Sequence, residues 1–258
     1  DDMVIATAGK GSAGKTLIAA AVLSALAVEP QRILVVDADA HESLVDVLGP
    51  GWVTSVGSMR SAMEAQLATL AWDESRVEAL EAGMGEWVLA KRAGYDLLAM
   101  GHWAPPGSQC TVNRALDRSL AALMGRYDRV LIDHEAGMEQ MGRYSALPID
   151  RLLLVVQPEV SFVRVAGRIL DRAREVRRPI LGCTLILNRV TDARRSRPEF
   201  REALDCLMRI RPMTLVEVPE LEGAEAEPRD PRLVAALTPL VADLQTSSLP
   251  RPKEASRV

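Results

Sequence analysis

The chain has 258 residues, 48% of them hydrophobic and 26% charged, and carries a formal net charge of −4. This is the composition of a globular protein with one large core, and its acidic balance gives no reason to expect a nucleic-acid binder. No apolar stretch reaches the ~20 residues of a membrane-spanning helix, no basic segment leads into an apolar leader, and three widely spaced cysteines (Cys110, Cys183, Cys206) make no disulfide framework, so a reducing, cytoplasmic setting is expected.

Residues 3–8 form an apolar run that reads as a buried strand, and residues 17–26 read as a helix. Between them Gly9-Lys10-Gly11-Ser12-Ala13-Gly14-Lys15-Thr16 fits G-x-x-x-x-G-K-[ST], the loop that cradles phosphates. Its glycines let the backbone curl until successive N–H groups and the start of the helix face one anion. Lys15 adds a mobile cation for the β- and γ-phosphates, and the Thr16 hydroxyl is a hard oxygen ligand for Mg²⁺. The expected ligands are therefore ATP or ADP with Mg²⁺.

Residues 32–37 are a short apolar run ending in Asp37, as a buried parallel strand would. Helices are expected over 43–48, 58–70 and 74–90, a strand over 96–101, a Pro- and Gly-bearing loop over 102–113, and a helix over 114–125. Apolar strands follow at 129–133, which ends in Asp133, and at 151–156. A helix over 161–176 precedes a strand over 184–188 that ends in Asn188, and a helix over 198–208 precedes a short edge strand over 214–218 stopped by Pro219. A helix over 231–244 closes the series, and the polar, Pro-bearing tail 246–258 is expected to be disordered.

Strands alternating with helices predict one α/β domain over residues 1–245, a three-layer P-loop NTPase with a mostly parallel sheet covered by helices on both faces. In such a sheet ligands gather outside the carboxyl ends of the strands, so Asp37, Asp133 and Asn188 should converge near the phosphate loop.

Lys10, directly after the first glycine, makes the loop similar to the deviant Walker A motif K-G-G-x-G-K-[ST] of the MinD/ParA group, with Ser12 in place of the second glycine. The resemblance implies a homodimer that sandwiches two nucleotides, with Lys10 reaching across to the partner's phosphates; an ordinary exposed loop lysine is the competing reading. Asp37-Ala38-Asp39, followed by Ser43-Leu44 and Leu48-Gly49, resembles that group's switch segment. It implies that Asp39 positions the attacking water, unless it caps the next helix, and that Asp37 lies near Mg²⁺. Asp133 is placed as the second acid near Mg²⁺, and Asn188-Arg189 as the adenine contact, with closure of a turn as the other role open to Asn188. The implied catalytic set is Lys10, Lys15 and Asp39. The implied nucleotide contacts run from Gly9 through Leu17 and include Asn188, Arg189 and Pro219.

A second motif narrows the resemblance. Residues 133–143, Asp-His-Glu-Ala-Gly-Met-Glu-Gln-Met-Gly-Arg, are similar to the D-M-E-A-G-I-E-H-L-G-R-G segment of CooC-type ATPases, which mature the nickel site of carbon monoxide dehydrogenase. Gly107-Ser108-Gln109-Cys110-Thr111-Val112-Asn113 is similar to their G-x-G-C-x-C-P-x-N, with Ser108 replacing the first cysteine. A dimer would then offer two thiolates rather than four, and Cys110 is a candidate ligand for Ni²⁺ or Zn²⁺ with His102 or His134 completing the set, or else an ordinary loop thiol. Cys183 and Cys206 are expected in the core.

Three functions follow: a metal-delivering ATPase that serves a client metalloenzyme, a metal-independent switch that remodels or positions a protein partner, and a DNA binder of the ParA type. The last would use Arg164, Arg168, Arg172, Arg174, Arg177 and Arg178, but these alternate with Asp171 and Glu175 as on a solvated face. The tail lacks the basic amphipathic helix that membrane recruitment requires.

Overall fold

A computed structural model describes residues 3–49, 51, 53–67, 88–102, 119–134, 149–175, 180–221 and 227–246. Its frame is an eight-stranded sheet, β1 (Met3–Gly9), β2 (Ile33–Ala38), β3 (Leu89–Arg92), β4 (Tyr95–Ala99), β5 (Arg129–His134), β6 (Ile149–Val156), β7 (Ile180–Val190) and β8 (Thr214–Pro219). The strands lie in the order β3-β4-β2-β5-β1-β6-β7-β8. Every neighbouring pair is parallel except β3 with β4.

The central strands β1, β2 and β5 are apolar along nearly their whole length because helices cover both of their faces. Helix α1 (Lys15–Leu26) packs with α2 (Ser43–Leu48) and α7 (Pro231–Thr246), while α4 (Val160–Glu175) packs with α6 (Pro198–Ile210). Helix α3 (Val56–Leu67) and the one-turn α5 (Asp192–Arg195) complete the named helices, and residues 119–124 are also helical. The sheet and its helical layers match the expected architecture.

Some local expectations are corrected. The helix expected over 74–90 ends in a strand instead: Leu89 pairs antiparallel with Leu98, and the chain turns back at Gly94, whose φ is +87°. Leu89 and Ala90 sit at the open edge of the sheet next to β4, and a free edge captures a short apolar run that would otherwise propagate a helix. The rest of that segment, residues 68–87, lies outside the described residues, as do residues 103–118, 135–148 and the tail from 247. Strand β7 begins at Ile180 rather than 184, because its partner β6 continues the ladder back to Ile149.

Cys206 is exposed rather than in the core. The inward stripe of α6 is Phe200, Ala203, Leu204 and Leu207, at helical spacing, and Cys206 falls beside it. Cys183 does pack against the core, 3.9 Å from the Met213 sulfur, and burial pushes its thiol up to about 12.

Candidate nucleotide site

The phosphate loop lies where β1 passes β6 and turns into α1. Gly9 is required by close approach, since a Cβ there would sit 2.3 Å from the Val155 carbonyl oxygen. Gly14 adopts φ +94°, and a Cβ on it would meet the Asn188 amide at 2.3 Å. The intervening Ser12 takes a left-handed φ of 65°, the conformation for which glycine is the natural residue.

Two side chains tether the loop's carbonyls. Gln157 donates to the Ser12 carbonyl at 2.7 Å, and Asn188 donates to the Ala13 carbonyl at 2.8 Å. With those carbonyls held toward β6 and β7, the loop has its peptide planes fixed before any ligand arrives. Asn188 also accepts the Arg189 N–H at 3.0 Å, so its amide is engaged on both sides. Arg189 itself is exposed with φ 57°, and the next residue, Val190, is in register with Pro219 at the end of β8. Asn188, Arg189 and Pro219 thus occupy one end of the sheet beside the loop.

Behind the loop stands a row of buried polar groups. Thr7, Asp133 and Asp37 are register neighbours on the adjacent strands β1, β5 and β2. The Thr7 hydroxyl donates to Asp133 at 2.5 Å. Burial raises the Asp133 carboxyl above the usual range, against hydrogen bonds from Thr7 and Thr16 and the nearby charge of Lys15. The structure therefore brings Thr16, Lys15 and Asp133 together.

Asp37 is fully buried, and its carboxylate accepts the N–H groups of Leu44 and Val45 at 2.8 and 3.0 Å and that of Asp39 at 3.0 Å. Asp37 thus takes the capping role for α2 that the sequence left open for Asp39. Burial lifts its carboxyl to about 7, opposed by the three backbone donors and reinforced by Asp133. Asp39 lies at the rim, where its carboxylate accepts from the Ser43 hydroxyl at 2.8 Å and from the His41 N–H at 3.0 Å.

Lys10 turns back onto its own chain. Its Nζ donates to the Ser161 hydroxyl at 3.2 Å and lies 4.6 Å from the centre of the Phe162 ring, at the start of α4.

Thr16, Asp37 and Asp133 are hard oxygen donors at one place, and two of them are buried carboxyls whose ionised form needs a cation. That donor set fits Mg²⁺, whose part would be to neutralise phosphate charge. Cys110 and Ser108 lie outside the described residues, so the C-x-C comparison is a matter of sequence alone. His134 is buried at the end of β5, and the His102 ring stands edge-on to that of His41, with centroids 6.4 Å apart. Among the described residues, no three His, Cys, Asp or Glu side chains converge as a metal site.

Sequence reasoning missed Thr7, Gln157, Ser161 and Phe162. Gln157 was available by the criterion that selected Asp37, Asp133 and Asn188, a polar residue at the end of an apolar strand. Thr7 hides inside an otherwise apolar strand, and nothing in the sequence marks Ser161 and Phe162 as neighbours of Lys10, 151 positions from Ser161.

A glycine-shaped loop at a helix start, backed by buried acids at the carboxyl ends of parallel strands, defines a P-loop nucleotide-binding protein. The chain matches the CobQ/CobB/MinD/ParA nucleotide binding domain family over residues 4–230 and belongs to that family, whose members bind and hydrolyse ATP; it is an ATPase.

Its relatives include an uncharacterized ATP-binding protein of Methanocaldococcus jannaschii, 29% identical over 79% of this chain and 78% of the relative. The carbon monoxide dehydrogenase accessory protein CooC of Rhodospirillum rubrum is 30% identical over 67% of this chain and 70% of its own length. The fold is shared with the MinD cell division protein of Aquifex aeolicus at a TM-score of 0.59 and 21% identity, covering 98% of this chain and 100% of that one. No helix among the described residues is long and apolar enough to cross a membrane.

Proposed function

We propose that the chain is a homodimeric, ATP-driven switch that delivers a transition-metal ion, nickel or zinc, to a client metalloenzyme. The observation that carries this reading is the likeness to the CooC accessory protein, at 30% identity over 67% of the chain, together with the similar segment over residues 133–143.

In this reading the loop amides and Lys15 hold the phosphates, Thr16, Asp37 and Asp133 hold Mg²⁺, and Asn188, Arg189 and Pro219 border the base. Asp39 orients the water that attacks the γ-phosphorus, and the bond to the β-phosphate oxygen breaks to leave ADP and phosphate. For that role Asp39 must exchange its bond to Ser43 for one to water, which links the chemistry to the start of α2. Lys10 supplies charge to the partner's phosphates only in the closed dimer, so ATP favours closure by its differential affinity for the two states.

Ser108 in place of the first cysteine favours a second reading, a switch of the same design whose cargo is a protein partner. Elemental analysis after equilibration with Ni²⁺ or Zn²⁺ separates the two, on wild type and Cys110→Ser, each with ADP or a non-hydrolysable ATP analogue. About one ion per dimer, lost in the variant and altered by nucleotide, is the expected result for metal delivery. A dimer that hydrolyses ATP with no Cys110-dependent ion is the result for the second reading.

A further inference from the structure

The sheet has a second polar feature at the end opposite the phosphate loop. A cavity of about 340 Å³ opens where β2, β4 and β5 begin, lined among others by Arg32, Lys91, Arg92, Tyr95, Arg126 and Tyr127. Four cations thus share one small cavity in a chain whose net charge is −4.

Two of the four are neutralised locally. Arg32 pairs with Asp128 at 2.7 Å and Lys91 with Asp96 at 2.5 Å. Arg92 and Arg126, both in the lining, have no carboxylate partner among the described residues. Two guanidinium groups in one cavity with no carboxylate to balance them require an explanation. Asp96 does not balance them: the contacts it makes are at Oδ2, which accepts from both Lys91 and the Tyr127 hydroxyl.

From this geometry we propose that the cavity is a binding site for a small phosphate-bearing anion, held by Arg92 and Arg126 with Lys91 and Arg32 contributing field. A guanidinium offers paired donors that match phosphate oxygens, and a volume of about 340 Å³ suits a small molecule rather than a macromolecular surface. Burial keeps the Tyr95 and Tyr127 phenols protonated, so neither adds a negative charge that would repel the anion. The site is distinct from the nucleotide site: the strands that begin at the cavity, β2 and β5, carry Asp37 and Asp133 at their opposite ends.

The test is titration of inorganic pyrophosphate into protein saturated with Mg-ADP, followed by calorimetry and by amide NMR, so that the phosphate loop is occupied throughout. Saturable binding of one pyrophosphate per chain is expected, weakening with added NaCl and shifting the Gly94 amide while leaving Gly14 unmoved. Arg126→Ser, at an exposed position that the fold does not need, should weaken binding at least threefold, and Arg92→Ser with Arg126→Ser at least tenfold, with ATPase activity unchanged. Shifts confined to Gly14, absence of saturation, or equal affinity in Arg126→Ser and wild type would overturn the proposal.

Discussion

The Lys10 ammonium rests 4.6 Å from the centre of the Phe162 ring, within the same chain, and donates to the neighbouring Ser161 hydroxyl. A lysine proposed to act on a second subunit is thus held by cation–π attraction and a hydrogen bond in the single chain. In the proposed trans role, closing the dimer breaks both contacts. Phe162→Leu keeps an apolar side chain at this buried position while removing the ring, and should tighten the ATP-dependent dimer by roughly three- to fivefold, about 0.5–1 kcal/mol. Sedimentation velocity with a non-hydrolysable ATP analogue measures this. Lys10→Ala should retain nucleotide binding but lose the ATP-dependent dimer, and a dimer of unchanged affinity in that variant would refute the trans role.

Lys15 is buried at the start of α1, close enough to Asp133 to influence its titration. In the proposed assignment its removal takes away the main side-chain cation at the phosphates. Lys15→Ala should weaken ATP binding by about 100-fold or more, roughly 3 kcal/mol, as read by calorimetry. Affinity within threefold of wild type would contradict the assignment.

Ser12 holds a left-handed φ of 65° in a loop otherwise shaped by glycine. A non-glycine residue there is disfavoured by about 1–2 kcal/mol, part of which glycine gives back through the greater freedom of its unfolded chain. Ser12→Gly should therefore raise unfolding stability by about 0.5–1 kcal/mol, measured by urea denaturation of the nucleotide-free protein. A loss of stability would mean that the serine hydroxyl contributes more than the backbone costs.

Asp37 supplies a pH dependence. Its folded carboxyl titrates near 7 against an ordinary value of 3.8, because burial opposes its charge. The folded state therefore holds this proton where the unfolded state has lost it. The stability so conferred is complete below about pH 4 and is lost as pH rises toward 7, with a slope of up to about 1.4 kcal/mol per pH unit from this group. Asp133, shifted the same way, acts in the same direction. Without nucleotide or Mg²⁺ the protein should be less stable at pH 8 than at pH 5, and Asp37→Asn should flatten the profile. Mg-ADP should reverse the trend, since a cation favours the ionised form.

The strands that carry the site were the most legible part of the sequence. Residues 3–8, 33–36 and 130–132 are almost wholly apolar because both of their faces are covered, and Asp37 and Asp133 stand out at the ends of the latter two. The β3–β4 hairpin was not legible, since Leu89 and Ala90 are extended only by virtue of an edge that forms elsewhere in the chain. The phosphate loop followed from its glycines and Lys15, whereas its tethers Gln157 and Asn188 act 145 and 175 positions away from the carbonyls they hold. The resting place of Lys10 is likewise a product of packing between β1 and α4.

The two margins of the sheet limit how copies of this chain can assemble. On one side β3 is only four residues long and carries Lys91 and Arg92; on the other β8 ends at Pro219, which has no N–H to offer, and its Glu217 is paired with Arg195 at 2.9 Å. Short, charged or proline-ended borders are poor templates for extending a sheet from one molecule into the next. A second copy therefore gains little by edge addition, which leaves room for the end-on contact proposed above, at the loops that hold Lys10 and Asp39. In the proposed homodimer the same loops meet on both copies, and such a self-complementary contact stops at two subunits instead of growing into a filament.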